Sequence, residues 1–130
     1  SYGFKNLKNI YVTKPPRGYE FRTDDFSFSG SQTMNVTFRS QTNSDKATFI
    51  WYRNSYVCPD NYGYWNRFTS SGTTYYFSEH QSLGYSEAYW WYSGELFYAR
   101  VPYSFTRTDA TRFFNSLHSV SVGSSWNSWN

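Results

Sequence analysis

From Gln32 to Arg39 every second residue is apolar: Met34, Val36 and Phe38 fall on one side, Thr33, Asn35, Thr37 and Arg39 on the other. A strand turns successive side chains to opposite faces, so this strict period of two predicts a β-strand with one wet face. The alternation returns along the chain, broken at short intervals by turn residues. Asn9 to Thr13 sets Ile10 and Val12 on one face and ends at Lys14-Pro15-Pro16-Arg17-Gly18, because proline cannot donate to a ladder. Phe26 and Phe28 alternate with Ser27 and Ser29 behind Asp24-Asp25, which reads as a turn. After a polar hairpin loop from Gln41 to Asp45, KATFIWYR is apolar on both parities and predicts a strand covered on both faces. Thr73 to Ser78 and Glu87 to Tyr92 read as further strands, separated by the polar segment Glu79 to Ser86. Ser93-Gly94 fits a two-residue hairpin turn that pairs YWWY with ELFY.

One stretch has a different period. Ala110, Phe113, Phe114 and Leu117 fall at i, i+3, i+4 and i+7, behind Thr108 and Asp109, either of which can cap a helix. SVSV after it reads as a last strand. The expected class is all-β, mainly an antiparallel β-sandwich of jelly-roll-like type, with one short C-terminal helix. The 130 residues form a single domain, 1–130, with 119–130 as a docking C-terminal strand or tail.

The chain must build its interior from rings. It has four Leu, two Ile and six Val against twelve Phe, fourteen Tyr and six Trp. Each ring buries on the order of 150–250 Å², so a few replace many aliphatic side chains. Yet rings occupy both parities. In YWWYSGELFY, residues 89 to 98, Trp90 and Trp91 cannot enter the same core. One parity of that hairpin, Trp90 with Tyr92 or Tyr89 with Trp91, faces outward.

The residues for catalysis and metal binding are sparse. Cys58 is single and precedes Pro59 in an irregular segment, where no helix N-terminus stabilises a thiolate. His80 and His118 form no HxH or HExxH spacing. Asp24, Asp25, Glu79, Glu87 and Glu95 could supply a carboxylate pair, but no spacing favours one. There is no Gly-rich phosphate loop, and DNYG lacks the acid pattern of a calcium loop. Asn35-Val36-Thr37 is a glycosylation sequon by pattern. A net charge of +3 with dispersed basic residues gives thin support for nucleic acid, despite Arg53, Arg67 and Arg100 near aromatics. No run approaches the roughly 18 apolar residues of a membrane span. The N-terminal SYGFKNLKN does not read as a signal peptide, and export stays open.

Binding by rings remains. The expected ligand site is Tyr62, Tyr64 and Trp65 in the irregular loop, with Asp60 and Asn61, and Tyr89 and Trp91 on the hairpin. Trp126 and Trp129 in the tail are the expected assembly contacts. Sugars offer C–H patches to indole and phenol faces, and their hydroxyls suit Asn, Asp and Tyr. The expected function is therefore a non-catalytic, outward-facing recognition module for a glycan or cell-surface ligand, without cofactor, metal or membrane insertion. The setting it fits is a viral, phage or bacterial surface protein, extracellular or on a virion. The alternative is a structural virion subunit of a coat, tail or fibre, since aromatics with Arg also fill the centres of homo-oligomer interfaces. A sheet followed by a capped C-terminal helix is loosely similar to the coat subunits of RNA phages, over a short pattern without a specific motif and without the helix pair expected there.

Overall fold

The computed structural model describes residues 2–5, 9–29, 33–52 and 65–121, with side chains for 11–22, 34–52 and 65–119. Among the described residues ten strands and one α-helix follow in order: β1 Tyr2–Lys5, β2 Asn9–Thr13, β3 Tyr19–Ser29, β4 Thr33–Ser40, β5 Lys46–Tyr52, β6 Asn66–Ser70, β7 Thr73–His80, β8 Tyr85–Tyr92, β9 Glu95–Pro102, α1 Arg107–Phe114 and β10 His118–Ser121. They make two antiparallel sheets. The large one runs β3-β4-β5-β9-β8-β7-β6 and the small one β1-β2-β10. Two meanders, β3 to β5 and β6 to β9, meet where β9 pairs with β5.

One face of the large sheet is the core face, and α1 and the small sheet cover it. Val36 and Phe38 of β4, Ala47, Phe49 and Trp51 of β5, Ala88 and Trp90 of β8, and Phe97 and Ala99 of β9 are fully buried there. The helix contributes Phe113, 4.4 Å from Phe49 between ring centroids, and Phe114, 5.4 Å from Trp90. From the small sheet Tyr11 reaches Trp51 at 5.5 Å and Phe97 at 5.2 Å. Several of these pairs meet edge to face, such as Phe49 with Trp90 at 75° and Phe38 with Phe113 at 83°, the arrangement that ring quadrupoles favour. Several polar tips inside are paired. The Trp51 indole N–H donates to Glu95 at 3.1 Å, and the Tyr75 hydroxyl donates to Asn115, whose amide donates to Ser70, fastening the end of the helix to the sheet.

The all-β sandwich with one short helix read from the periodicity is present, and the differences are local. Asp24 and Asp25 form no turn: they lie inside β3, where its register against β4 shifts between Phe21 and Phe26. An irregularity of this kind lets polar residues interrupt an alternation without ending the strand. On β2 it is Tyr11 that joins the core, and Val12 and Thr13 are buried as well, so the strand is covered on both sides rather than split into wet and dry faces. The helix cap is Thr106, two residues before Thr108 and three before Asp109, the two expected candidates. Its hydroxyl accepts from the Asp109 N–H at 3.0 Å while the Asp109 carboxylate accepts from the Thr106 N–H at 3.3 Å, a reciprocal capping box. Leu117 is buried just past the helix end. Of the segment Glu79 to Ser86 the two ends are strand, β7 running through His80 and β8 starting at Tyr85, and a 3-10 turn at Gln81–Leu83 followed by Gly84 separates them. The Ser93-Gly94 hairpin stands as read, both residues at positive φ of 54° and 78°, the mirror-image turn that suits strand twist.

Among the described residues one buried side-chain polar atom is without a hydrogen bond, the hydroxyl of Ser86 on the core face of β8. Burying an unmatched hydroxyl costs about 1–3 kcal/mol. Ser86→Ala is therefore expected to raise stability by about 1 kcal/mol, read as a higher urea midpoint with an unchanged slope; a lower midpoint contradicts the assignment.

Candidate functional site

Because β8 buries Trp90 on the core face, Trp91 and Tyr89 lie on the other. Strand register extends that face across the sheet. One cross-strand row runs Asn35, Ile50, Tyr98, Tyr89, Tyr76, Arg67, one residue from each of β4, β5, β9, β8, β7 and β6. The row beside it runs Thr37, Thr48, Arg100, Glu87, Ser78. Three adjacent tyrosines thus share one line, with a charged and hydroxylated line alongside.

The rings of this outer face lean on each other. Tyr89 lies 4.8 Å from Tyr98 and 5.1 Å from Trp65, and Tyr76 meets Trp91 at 6.2 Å and 87°. Most are half-buried, while Trp91 is 38% exposed, the one exposed large aromatic among the described residues. The planes are tilted: 60° between Trp65 and Tyr89, and near perpendicular between Tyr76 and Trp91. The face therefore offers one indole plane in a ring-lined relief, not a flat tiled platform.

Its charges form a connected network. Glu87 accepts from the Tyr98 hydroxyl at 2.8 Å and pairs with His80 Nε2 at 2.5 Å. Arg100 Nε donates to the same Tyr98 oxygen at 3.0 Å, and its guanidinium carbon lies 3.9 Å from the centre of the Tyr85 ring. At the β4–β5 end the Thr37 and Thr48 hydroxyls share a hydrogen bond of 3.1 Å. Burial drives the Tyr98 hydroxyl well above the ordinary phenol range, and its hydrogen bond to the Glu87 carboxylate adds to the shift. Tyr52 is raised chiefly by burial as well. The phenols therefore act here as neutral donors. With both Glu87 oxygens and the Tyr98 hydroxyl already engaged, the network holds side-chain positions on the wet face of the sheet.

Of the expected ligand residues, Trp65, Tyr89 and Trp91 share this face, with Trp65 against Tyr89. Asp60, Asn61, Tyr62 and Tyr64 lie outside the described residues, as do Cys58, Trp126 and Trp129. Sequence reading passed over Tyr76, Tyr85, Tyr98, His80, Glu87 and Arg100 as a group. Counting outward from the Ser93-Gly94 turn would have paired Tyr89 with Tyr98 and Glu87 with Arg100. Among the described residues no three His, Cys, Asp or Glu side chains could together hold a metal ion, and no helix is long and apolar enough to cross a membrane. Compared with known proteins, the chain matches no family model, no curated protein and no solved structure.

Phenols held neutral by the fold make stability fall in alkali. Tyr75 is pushed up to about 12 by burial, and Tyr19 likewise by burial with Asp45 adding to it. A raised folded pKa stabilises the fold fully below the unfolded value of 10.0, and this stabilisation is lost as pH climbs towards about 12. Urea unfolding is expected to show stability declining from about pH 10 upward, with a shallower decline in Tyr98→Phe. An equal decline in that variant contradicts the role given to Tyr98.

Proposed function

We propose that the outer face of the large sheet is a non-catalytic recognition surface, and that its ligand is a glycan carried on a cell or virion surface. The observation that supports this most is the exposed Trp91 indole beside the Tyr98-Tyr89-Tyr76 row. An indole face accepts the C–H patch of a sugar ring. Neighbouring hydroxyls and the Arg100 guanidinium then meet the sugar hydroxyls, a division of labour common to ligand sites with an apolar wall and few oriented polar groups. The charged network favours recognition over turnover, because its carboxylate is already engaged by Tyr98 and His80.

The steep ring angles support a second reading, a protein partner or a second copy seated on the face in a virion shell, since tilted Tyr, Trp and Arg side chains also anchor protein interfaces. The two readings separate by mass and by ligand. The glycan reading expects a monomer whose tryptophan fluorescence shifts on titration with its glycan, and about a tenfold loss of affinity in Trp91→Ala. Large particles that grow with protein concentration and dissolve in Trp91→Ala would transfer the face to assembly.

A further inference from the structure

Beside α1, on the opposite side of the large sheet, lies a cleft of about 960 Å³, bounded by the helix, by the turn joining β2 to β3 and by β6. That volume is at the upper end of the roughly 300–1,000 Å³ typical of small-ligand sites. Its apolar lining comes from Pro15, Pro16, Phe68 and Phe105, and its charge is one-sided. Lys14, Arg17, Arg107 and Arg112 line it against a single carboxylate, Asp109. Asp109 is already engaged, accepting from the Thr106 N–H and standing 4.0 Å from Arg112. The Arg107 guanidinium carbon sits 4.0 Å from the centre of the Phe68 ring. A guanidinium held over a ring keeps its in-plane N–H donors for an anion. Hydroxyls of Ser70, Thr108 and Thr111 also line it, and Thr111 donates to the Arg107 carbonyl at 2.7 Å, which leaves its oxygen able to accept.

We infer that this cleft binds an acidic oligosaccharide, a chain of sugar rings carrying carboxylate or sulfate groups. The surplus of cations sets the sign of the ligand, and their placement on both the turn and the helix calls for more than one anionic group. The proline and phenylalanine surface calls for C–H faces between those groups, and the threonine and serine hydroxyls suit hydroxylated rings. A single-stranded nucleic acid fits less well, because its bases need open aromatic faces to stack on and the Phe68 ring is already covered by the Arg107 guanidinium. The cleft lies across the sheet from Trp91, so this assignment stands or falls independently of the outer face.

The test is calorimetric titration with a heparin-derived hexasaccharide, with uncharged maltohexaose as the control. The sulfated sugar is expected to bind, to weaken as salt is raised, and to lose about tenfold or more in affinity in the double variant Arg17→Glu with Arg112→Glu. Both side chains are exposed, but Arg112 faces Asp109 in the last turn of the helix, so a slightly lower urea midpoint is expected; Lys14→Gln with Arg17→Gln, expected to weaken binding in the same direction, replaces the pair if the double variant does not fold. No binding, or undiminished binding in a folded variant, overturns the inference. So does tighter, cleft-dependent binding of an oligoglutamate peptide or a single-stranded oligonucleotide of equal charge. The outer-face reading is decided separately, by neutral glycans and Trp91.

Discussion

Trp90 touches rings from four elements at once: Phe49 of β5, Tyr75 of β7, Phe97 of β9 and Phe114 of α1, all within 6.2 Å between centroids. Few aliphatic side chains are available to do this work, so the fold depends on a layer of interlocking rings between the large sheet and its cover. The consequence runs outward through the backbone. A residue anchored this firmly on one face forces its neighbours to the other, and Trp91 and Tyr89 face away because Trp90 cannot. The outer surface is in this sense set by the interior.

On that outer surface the chemistry changes character. The core rings are held by burial and mutual contact, whereas on the outer face Tyr98 is tied by charge-assisted hydrogen bonds running from Arg100 to Glu87 and on to His80, and the other rings lean on their neighbours. Bonds to ionised groups are worth more than neutral ones, and they persist in part-exposed positions where apolar packing is weaker. The network therefore supplies what a recognition surface needs, which is side chains already in place before a ligand arrives. The cleft by the helix is the opposite kind of surface, an apolar lining under excess positive charge. The two sides of one sheet therefore carry chemically distinct surfaces.

Much of this was legible in the chain. Period-two alternation placed β4 with its core residues, Ser93-Gly94 placed the hairpin, and the 110-113-114 spacing placed the helix. What escaped did so for physical reasons. Local alternation carries no information on strand order, so nothing in the sequence said that β9 would pair with β5 and bring Ile50 into line with Tyr98. The bulged stretch of β3 hid behind two aspartates that read as a turn. The capping box started the helix earlier than its apolar stripe, because a first turn made of Arg, Thr and Asp carries no hydrophobic period. Glu87 and His80 looked like solvated polar residues because their partners come from neighbouring strands, Tyr98 of β9 for Glu87 and Glu87 of β8 for His80.

The central claim is that adjacent tryptophans serve opposite ends, one the fold and the other the exterior. It is tested most directly by comparing the unfolding free energies of Trp90→Ala and Trp91→Ala in urea. Truncating the buried indole should cost about 3–5 kcal/mol, and truncating the 38%-exposed one clearly less, about 1–2 kcal/mol. Equal losses would mean that the outer rings are spent on stability, and the account would be wrong.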